Sequence, residues 1–157
     1  MIADAMFSSA SMEWETPEAL FRALDRRVHF TLDVCATEQN AKCPRYFSPT
    51  QDGLRHGWEG QRCWMNPPYG RQIGAWVQKA AGEAAGGALV VGLLPARTDT
   101  AWWQEYVQPL ADVRFIRGRL KFGTARNAAP FPSAIAVWLG WPKTCGYFSK
   151  DVEAQHG

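Results

Sequence analysis

The sequence lacks the residue spacings that bind a structural metal. Its four cysteines contain no Cys-x-x-Cys pair, and its three histidines do not stand at ligand spacing from one another. Both absences argue against a zinc site and favour reduced thiols of the kind found in the cytosol. We therefore expect a protein that works without a metal.

Long apolar runs and a strong net charge are also missing. No stretch approaches the roughly 18 apolar residues of a membrane helix, and no secretory signal pattern is present. The net charge of +2 is only weak evidence for a polyanionic partner. With 46% hydrophobic residues, we expect one cytoplasmic domain over residues 1–157, with a loose arm at 1–13 and a tail at 142–157.

Alternating apolar patterns predict an α/β protein. A continuous apolar run over 88–94 is typical of a strand covered on both faces. Strands and helices alternate along the chain, which predicts a mainly parallel sheet with an antiparallel pair at the C-terminal end. The predicted helices are 17–27, 73–85 and about 100–109, and the predicted strands are 28–34, one that ends at 63–65, 88–94, 113–116 and 133–139.

The stretch Asn66-Pro67-Pro68-Tyr69 follows the predicted strand end at 63–65. Its two prolines stiffen the backbone and keep it out of sheet pairing. A flat ring with an exocyclic amine could stack on Tyr69 and donate hydrogen bonds to the Asn66 side-chain oxygen and the Pro67 carbonyl. Two such acceptors would favour a pyramidal amine with a lone pair free to attack. The alternative is an ordinary turn, which Asn-Pro and Pro-Pro dipeptides also form.

Two other places carry candidate binding residues. Thr16 is a good N-cap for the first predicted helix, and Pro17 suits its first position. Asp33 stands near the carboxyl end of the first predicted strand, where open α/β sheets bind ligands. The small Cys35 and Ala36 that follow would allow close backbone approach. A plain helix start and a loop cap are the structural alternatives.

The less regular segments contain acidic and basic residues that are candidates for binding a ligand or phosphates. Asp52 and Glu38 are candidate polar groups for a ligand, although Asp52 precedes a glycine and such a pair usually marks a turn. Arg97 follows the predicted strand 88–94. The later basic residues surround an aromatic ring and could hold phosphates, although a basic run is most often a solvated face. They include Arg119, Lys121 and the ring Phe122.

The order of these motifs resembles that of one methyltransferase family. The matching stretches lie between Trp14 and Trp138 and are Thr16-Pro17, Leu32-Asp33-x-Cys35-Ala36-Thr37, Asp52-Gly53-Leu54, Asn66-Pro67-Pro68-Tyr69, Leu93-Leu94-Pro95-Ala96-Arg97-Thr98 and Gly118-Arg119-Leu120-Lys121-Phe122. The chain is similar to the small Dam-like DNA N6-adenine methyltransferases of bacteriophages and prophages. It departs from the common methyltransferase pattern because no Gly-x-Gly motif is present.

The resemblance implies a Rossmann-like, S-adenosylmethionine-dependent methyltransferase fold. The implied reaction is methyl transfer to the N6 amine of adenine in DNA, by base flipping and direct in-line attack, in a bacterial host cell. The resemblance assigns catalysis to Asn66, Pro67, Pro68 and Tyr69; cofactor binding to Thr16, Pro17, Asp33, Cys35, Ala36, Asp52 and Asn66; and DNA contacts to Tyr69, Arg97, Arg119, Lys121 and Phe122.

Two alternatives to this function stay open. The Asn-Pro-Pro-Tyr motif alone is shared with methyltransferases that act on RNA or on protein glutamine. A catalytically silent nucleic-acid-binding module is the other alternative, since the Gly-x-Gly motif is missing. For a DNA methyltransferase, the irregular segments 35–60 and 117–132 offer few side chains to read base edges, so we expect a short or degenerate target.

Overall fold

The computed structural model describes residues 15–123 and 126–140. The predicted arm at 1–13 and the predicted tail at 142–157 lie outside the described residues. Within the described residues, no helix has both the length and the apolar character that crossing a membrane requires.

A five-stranded mixed sheet forms the centre of the fold. Its strands are β1 (Leu32–Asp33), β2 (Arg62–Met65), β3 (Leu89–Pro95), β4 (Asp112–Phe115) and β5 (Ser133–Trp138). They lie in the order β1-β2-β3-β5-β4. The first three are parallel, and β5 is antiparallel to both β3 and β4. The predicted parallel sheet with antiparallel pairing near its C-terminal end is therefore confirmed.

The helices pack on this sheet through apolar faces. Helix α1 is Glu18–Val28 and helix α2 is Ile73–Ala85, which is the predicted range. The buried face of α2 repeats at helical spacing and includes Trp76 and Val77. α2 packs against β3, β5 and a π-helical segment, Trp103–Val107. The apolar run of β3 is buried on both faces, as predicted.

The predicted strand 28–34 is much shorter in the structure. α1 ends at Val28, the first residue of the predicted strand. His29 caps the helix in a left-handed conformation (φ 55°), and its N–H donates to the Asp25 carbonyl. The Phe30 N–H donates to the Asp25 carboxylate at 2.8 Å. The apolar Phe30 does not belong to a strand, and its ring packs edge-on against Trp64. Within the predicted range, only β1 is a strand.

The predicted helix over about 100–109 is π-helical over half of its length. In Trp103–Val107 the hydrogen bonds reach one residue further than in an α-helix, and the Gln108 N–H donates to the Trp103 carbonyl at 2.9 Å. The Thr100 hydroxyl accepts a hydrogen bond from the Trp103 N–H at 3.3 Å. The apolar spacing alone does not distinguish this wider turn from an α-helix.

The strand directions bring four strand ends to one edge of the sheet, called the carboxyl edge below. β1, β2, β3 and β4 run in the same direction and all end there. β5 begins at the same edge, where Ser133 pairs with Pro95. Ligand sites of open α/β sheets lie outside such an edge.

The long segment between β1 and β2 is anchored to the rest of the fold. Tyr46 forms a bridge with Asp33. Trp58 is fully buried, and its Nε1–H donates to the Gly53 carbonyl at 3.0 Å. The Trp58 backbone N–H donates to the Glu83 carboxylate at 2.8 Å. This irregular segment is therefore fixed against both β1 and α2.

We expect Gly53→Ala to destabilise the protein. A Cβ at this position would lie 2.1 Å from the Val34 carbonyl oxygen, which is backbone and must shift to make room. Overpacking of this kind costs about 1–3 kcal/mol of the free energy of unfolding, which urea titration measures. Gly57→Ala is the matched control, since a Cβ there has no neighbour within 4 Å. Equal stabilities of the two variants would contradict the described packing.

Candidate active site

An open pocket lies at the carboxyl edge, where β1 and β2 end. Its walls come from the residues before α1, from the segment after β1 and from the segment after β2. The lining residues are Glu15, Thr16, Asp33, Cys35, Ala36, Thr37, Asn40, Lys42, Pro49, Trp64, Asn66, Pro67 and Pro68. The structure thus brings together the expected cofactor residues Thr16, Asp33, Cys35, Ala36 and Asn66 with the two prolines.

Asp33 places a buried carboxylate in this pocket. The residue is 2% exposed. Its Oδ1 accepts a hydrogen bond from the Cys35 N–H at 3.3 Å, and its Oδ2 accepts one from the Lys42 N–H at 3.0 Å. Burial raises the pKa of Asp33 to about 7 although these hydrogen bonds act in the opposite direction. A cation in the pocket would favour the ionised carboxylate and would bind to it.

Thr16 contacts Asn66 and does not cap α1. Thr16 is buried, and its hydroxyl accepts a hydrogen bond from Asn66 Nδ2 at 3.1 Å. α1 follows Pro17 with no side-chain cap, so the predicted N-cap role is wrong. The bond orients the Asn66 amide, whose oxygen lies on the branch away from Thr16. A residue before α1 therefore positions the first residue after β2.

The two prolines keep the chain out of the sheet, as predicted. β2 ends at Met65, and no strand pairing continues past it. Pro67 is buried and Pro68 is half-buried, and both border the pocket. The backbone after β2 therefore borders the pocket next to the Asn66 side chain.

Lys42 is a candidate ligand-binding residue that the sequence patterns do not indicate. Its side chain is 12% exposed, and its Nζ lies 2.8 Å from Glu18 Oε2 at the start of α1. Glu18 also pairs with Arg22 at 3.0 Å. Hydrogen bonds from Lys42 and then Arg22 hold the pKa of Glu18 below its usual range. A lysine in an irregular segment carries no local pattern that would mark it as pocket-lining.

Tyr69 is turned inward in this structure. The residue is 6% exposed, and its hydroxyl donates to the Leu93 carbonyl at 3.0 Å. Its ring meets Phe122 and Phe131 edge-on, with centroid distances of 6.3 and 5.6 Å. Phe122 is itself 1% exposed. A base that stacks on Tyr69 would have to displace one of these neighbours.

Three of the predicted or candidate cofactor-binding residues do not line the pocket. These are Pro17, Glu38 and Asp52. Asp52 instead accepts a backbone N–H at 3.1 Å and caps the short 3-10 turn that follows it, which is the turn role left open above. Its charge also contributes, after burial and Asp33, to raising the pKa of the pocket-lining Cys35.

The predicted DNA-binding cations are exposed near the carboxyl edge. Arg97 stands two residues after the end of β3, with its guanidinium carbon 6.0 Å from the Phe131 ring centroid. Arg119 and Lys121 lie in the exposed segment that follows β4. The Gly123 N–H donates to the carbonyl of Glu15 at 2.8 Å. This basic segment is therefore joined to the wall of the pocket.

Comparison with known proteins identifies the family. Residues 6–147 match the family model described as DNA N-6-adenine-methyltransferase (Dam). The chain belongs to the Dam family. A DNA N-6-adenine-methyltransferase of Haemophilus phage HP1 (strain HP1c1) is 30% identical over 105 residues. A DNA N-6-adenine-methyltransferase of Escherichia phage T1 is 32% identical over 109 residues.

The two phage relatives of this Dam-family chain are longer than the shared region. The alignments cover 66% and 68% of this chain, but 61% and 45% of the respective relatives. The chain therefore spans about half of the length of the relatives that it matches.

The three described thiols of this Dam-family chain, those of Cys35, Cys43 and Cys63, have raised pKa values. Burial, followed by the charges of Asp33 and Asp52, raises the pKa of Cys35 to about 12. Burial also raises the pKa values of Cys43 and Cys63 to about 12, so these groups are neutral at physiological pH. In the described part of the chain, no group of three or more His, Cys, Asp or Glu side chains is placed to hold a metal ion.

We expect the free energy of unfolding to depend on pH through Asp33. Its pKa is about 7 in the folded protein against an ordinary value of 3.8, so only the folded chain holds this proton between those values. The resulting stabilisation is fully present below pH 3.8 and is lost as the pH rises through about 7. Urea unfolding across this window should show a loss of roughly 2–4 kcal/mol relative to Asp33→Asn.

The Asp33→Asn variant is the reference because an amide does not titrate. Replacing one carboxylate oxygen by a nitrogen removes an acceptor for one of the two backbone N–H groups, and this loss does not vary with pH. The ionisation of Asp33 is therefore measured by how the difference in free energy of unfolding between wild type and variant changes with pH. A difference between wild type and variant that stays constant with pH would show that Asp33 is not perturbed by burial.

Proposed function

We propose that this protein transfers a methyl group from S-adenosylmethionine to the N6 amine of adenine in DNA. The observation that carries the proposal is the meeting of Asp33 and the Asn66-Pro67-Pro68 segment in one pocket of a Dam-family chain. Both phage relatives are named as DNA N-6-adenine-methyltransferases. The reaction would take place in a single domain at the carboxyl edge of the sheet.

The sheet topology supports a Rossmann-like methyltransferase fold. Three parallel strands lead into an antiparallel β5, which lies between β3 and β4. This arrangement places the pocket outside the carboxyl ends of β1 and β2, the usual ligand position in open α/β sheets. The fold alone does not determine the reaction, and the argument for function rests on the pocket.

The buried carboxylate makes the pocket suitable for the amino-acid end of S-adenosylmethionine. The cofactor supplies an activated methyl group on a positively charged sulfur. Asp33 would accept hydrogen bonds from its ammonium group, which would stabilise a carboxylate that burial disfavours. Cys35 and Ala36 border the same space with small side chains. Trp64, which is 1% exposed, also borders the pocket.

The acceptors that the reaction needs lie on the adjacent wall. The Asn66 side-chain oxygen and the Pro67 carbonyl would each accept a hydrogen bond from the adenine amine. Thr16 holds the Asn66 amide from the other side at 3.1 Å, so the acceptor is oriented before substrate arrives. Preorganised polar partners of this kind lower the reaction barrier because they need not reorient during the reaction.

Entry of the base requires a rearrangement around Tyr69. The ring is covered by Phe122, and its hydroxyl is held by the Leu93 carbonyl. Displacement of Phe122 would uncover a face of Tyr69 while the hydroxyl contact keeps the ring in place. A flipped adenine could then stack there, and Phe122 could close over its second face.

The exposed cations supply an electrostatic surface for the DNA backbone. Arg97, Arg119 and Lys121 stand beside the carboxyl edge, from which a flipped base would enter. Such contacts hold phosphates and carry no base specificity of their own. This surface favours a nucleic acid over a protein glutamine as the substrate.

We expect Asn66→Ala to slow methyl transfer by about 100-fold or more, the loss of roughly 3 kcal/mol known for preorganised polar partners. The affinity for S-adenosylmethionine should change little, because Asp33 stays in place. The measurement is nucleoside analysis of DNA after incubation with methyl-labelled cofactor, with cofactor affinity from calorimetry. Gln78→Ala is the matched control, an exposed amide on α2 away from the pocket, and it should keep full activity.

The same assay distinguishes the other possible functions. Label in RNA or in protein glutamine, with none in DNA, would replace the proposed substrate. Cofactor binding without transfer to any of the three would indicate a silent binding module. Full activity of Asn66→Ala on DNA would show that the reaction does not depend on a hydrogen bond from the adenine amine to Asn66.

We expect the salt dependence of DNA binding to fall in the Arg119→Ala, Lys121→Ala double variant. Each lost phosphate contact reduces the slope of log K against log salt by about 1, so the double variant should lose up to about 2. Arg26→Ala is the control, since Arg26 is an exposed cation in the last turn of α1, near the opposite edge of the sheet. An unchanged slope in the double variant would place the DNA elsewhere.

A further inference from the structure

The pocket is lined by charged residues of both signs, one at the end of β1 and one in the loop that follows. Asp33 and Lys42 both line it, and the Lys42 backbone N–H donates to Asp33 Oδ2 at 3.0 Å. Among the described residues that line the pocket, Lys42 is the one with a cationic side chain. An amino-acid group carries an ammonium and a carboxylate on the same carbon, so it needs a partner of each sign.

The Lys42 ammonium forms an ion pair with Glu18, which also pairs with Arg22. Its Nζ pairs with Glu18 at 2.8 Å. The Glu18 side chain is 55% exposed, and it also pairs with Arg22 at 3.0 Å. If Lys42 turned to a ligand, Glu18 would keep Arg22 and water. Lys42 itself is only 12% exposed, so a ligand carboxylate in the pocket would meet it with little competing solvent.

A purely structural role for Lys42 is the alternative. The ion pair with Glu18 joins the loop after β1 to the start of α1. Pairs with an exposed partner stabilise proteins by little, and such a tie does not need a lysine that lines the pocket. The backbone N–H of Lys42 already fixes the loop to Asp33 whatever its side chain does.

We propose that Lys42 binds the α-carboxylate of the methyl donor, while Asp33 binds its ammonium. The inference rests on the proposed function and assigns a residue to the part of the donor that Asp33 cannot hold. Glu18 then acts as the partner of Lys42 in the free protein. The pair of opposite charges selects a ligand with an intact amino-acid end over one that lacks the carboxylate.

The test compares two ligands, S-adenosyl-L-homocysteine and its decarboxylated analogue, by calorimetry. Wild type should bind the first more tightly by about 10-fold or more, the scale of one charge-assisted hydrogen bond. Lys42→Met, which keeps an unbranched apolar chain without the charge, should bind both ligands equally. Glu18→Gln removes the same ion pair but leaves the ammonium, so it should keep the wild-type preference or exceed it.

The outcomes separate this inference from the proposed function. If wild type binds both ligands with equal affinity, the protein still binds the donor but the assignment of Lys42 is wrong. The assignment is also wrong if Lys42→Met still binds S-adenosyl-L-homocysteine more tightly than the decarboxylated analogue. Loss of the preference in Glu18→Gln to the same extent would show that the ion pair acts only on structure. Failure of wild type to bind either ligand would overturn the proposed function together with this assignment.

Discussion

The buried carboxylate of Asp33 is the constraint around which the site is built. A carboxylate in this position is destabilised by burial unless hydrogen bonds or a cation compensate. The chain supplies two backbone N–H groups, from Cys35 and Lys42. To bring both to one carboxylate, the loop after β1 must turn back over the strand end. That turn creates the wall of the pocket and leaves room for a cation opposite it.

The second wall follows from strand register and from one long-range hydrogen bond. Asp33 pairs with Trp64 across β1 and β2, so the residues just after β2 lie beside the carboxylate. Thr16 reaches this point from before α1 and binds Asn66. Glu15 binds the loop that follows β4 through its carbonyl. Four distant parts of the chain therefore meet where the proposed donor and acceptor would react.

Local patterns in the sequence predict the elements whose burial is periodic or continuous. The bounds of α2 and the buried β3 follow from apolar spacing and from the two glycines after α2. The site residues Asp33 and Asn66 are also predictable, because each stands at a strand end. The contact between Thr16 and Asn66 is not predictable, because a threonine before a helix has the same local pattern whether it caps that helix or binds a distant residue. Lys42 and the inward Tyr69 depend on loop packing, which has no local pattern.

The central claim is that Asp33 binds a cation of the methyl donor, and its own titration tests this most directly. Carbon NMR of the labelled Asp33 carboxyl group can follow its pKa with and without saturating S-adenosyl-L-homocysteine. In the free protein the pKa should be about 7. With ligand bound it should fall by at least about one unit, because an adjacent ammonium stabilises the ionised form. A pKa that stays the same or rises on binding would contradict the account.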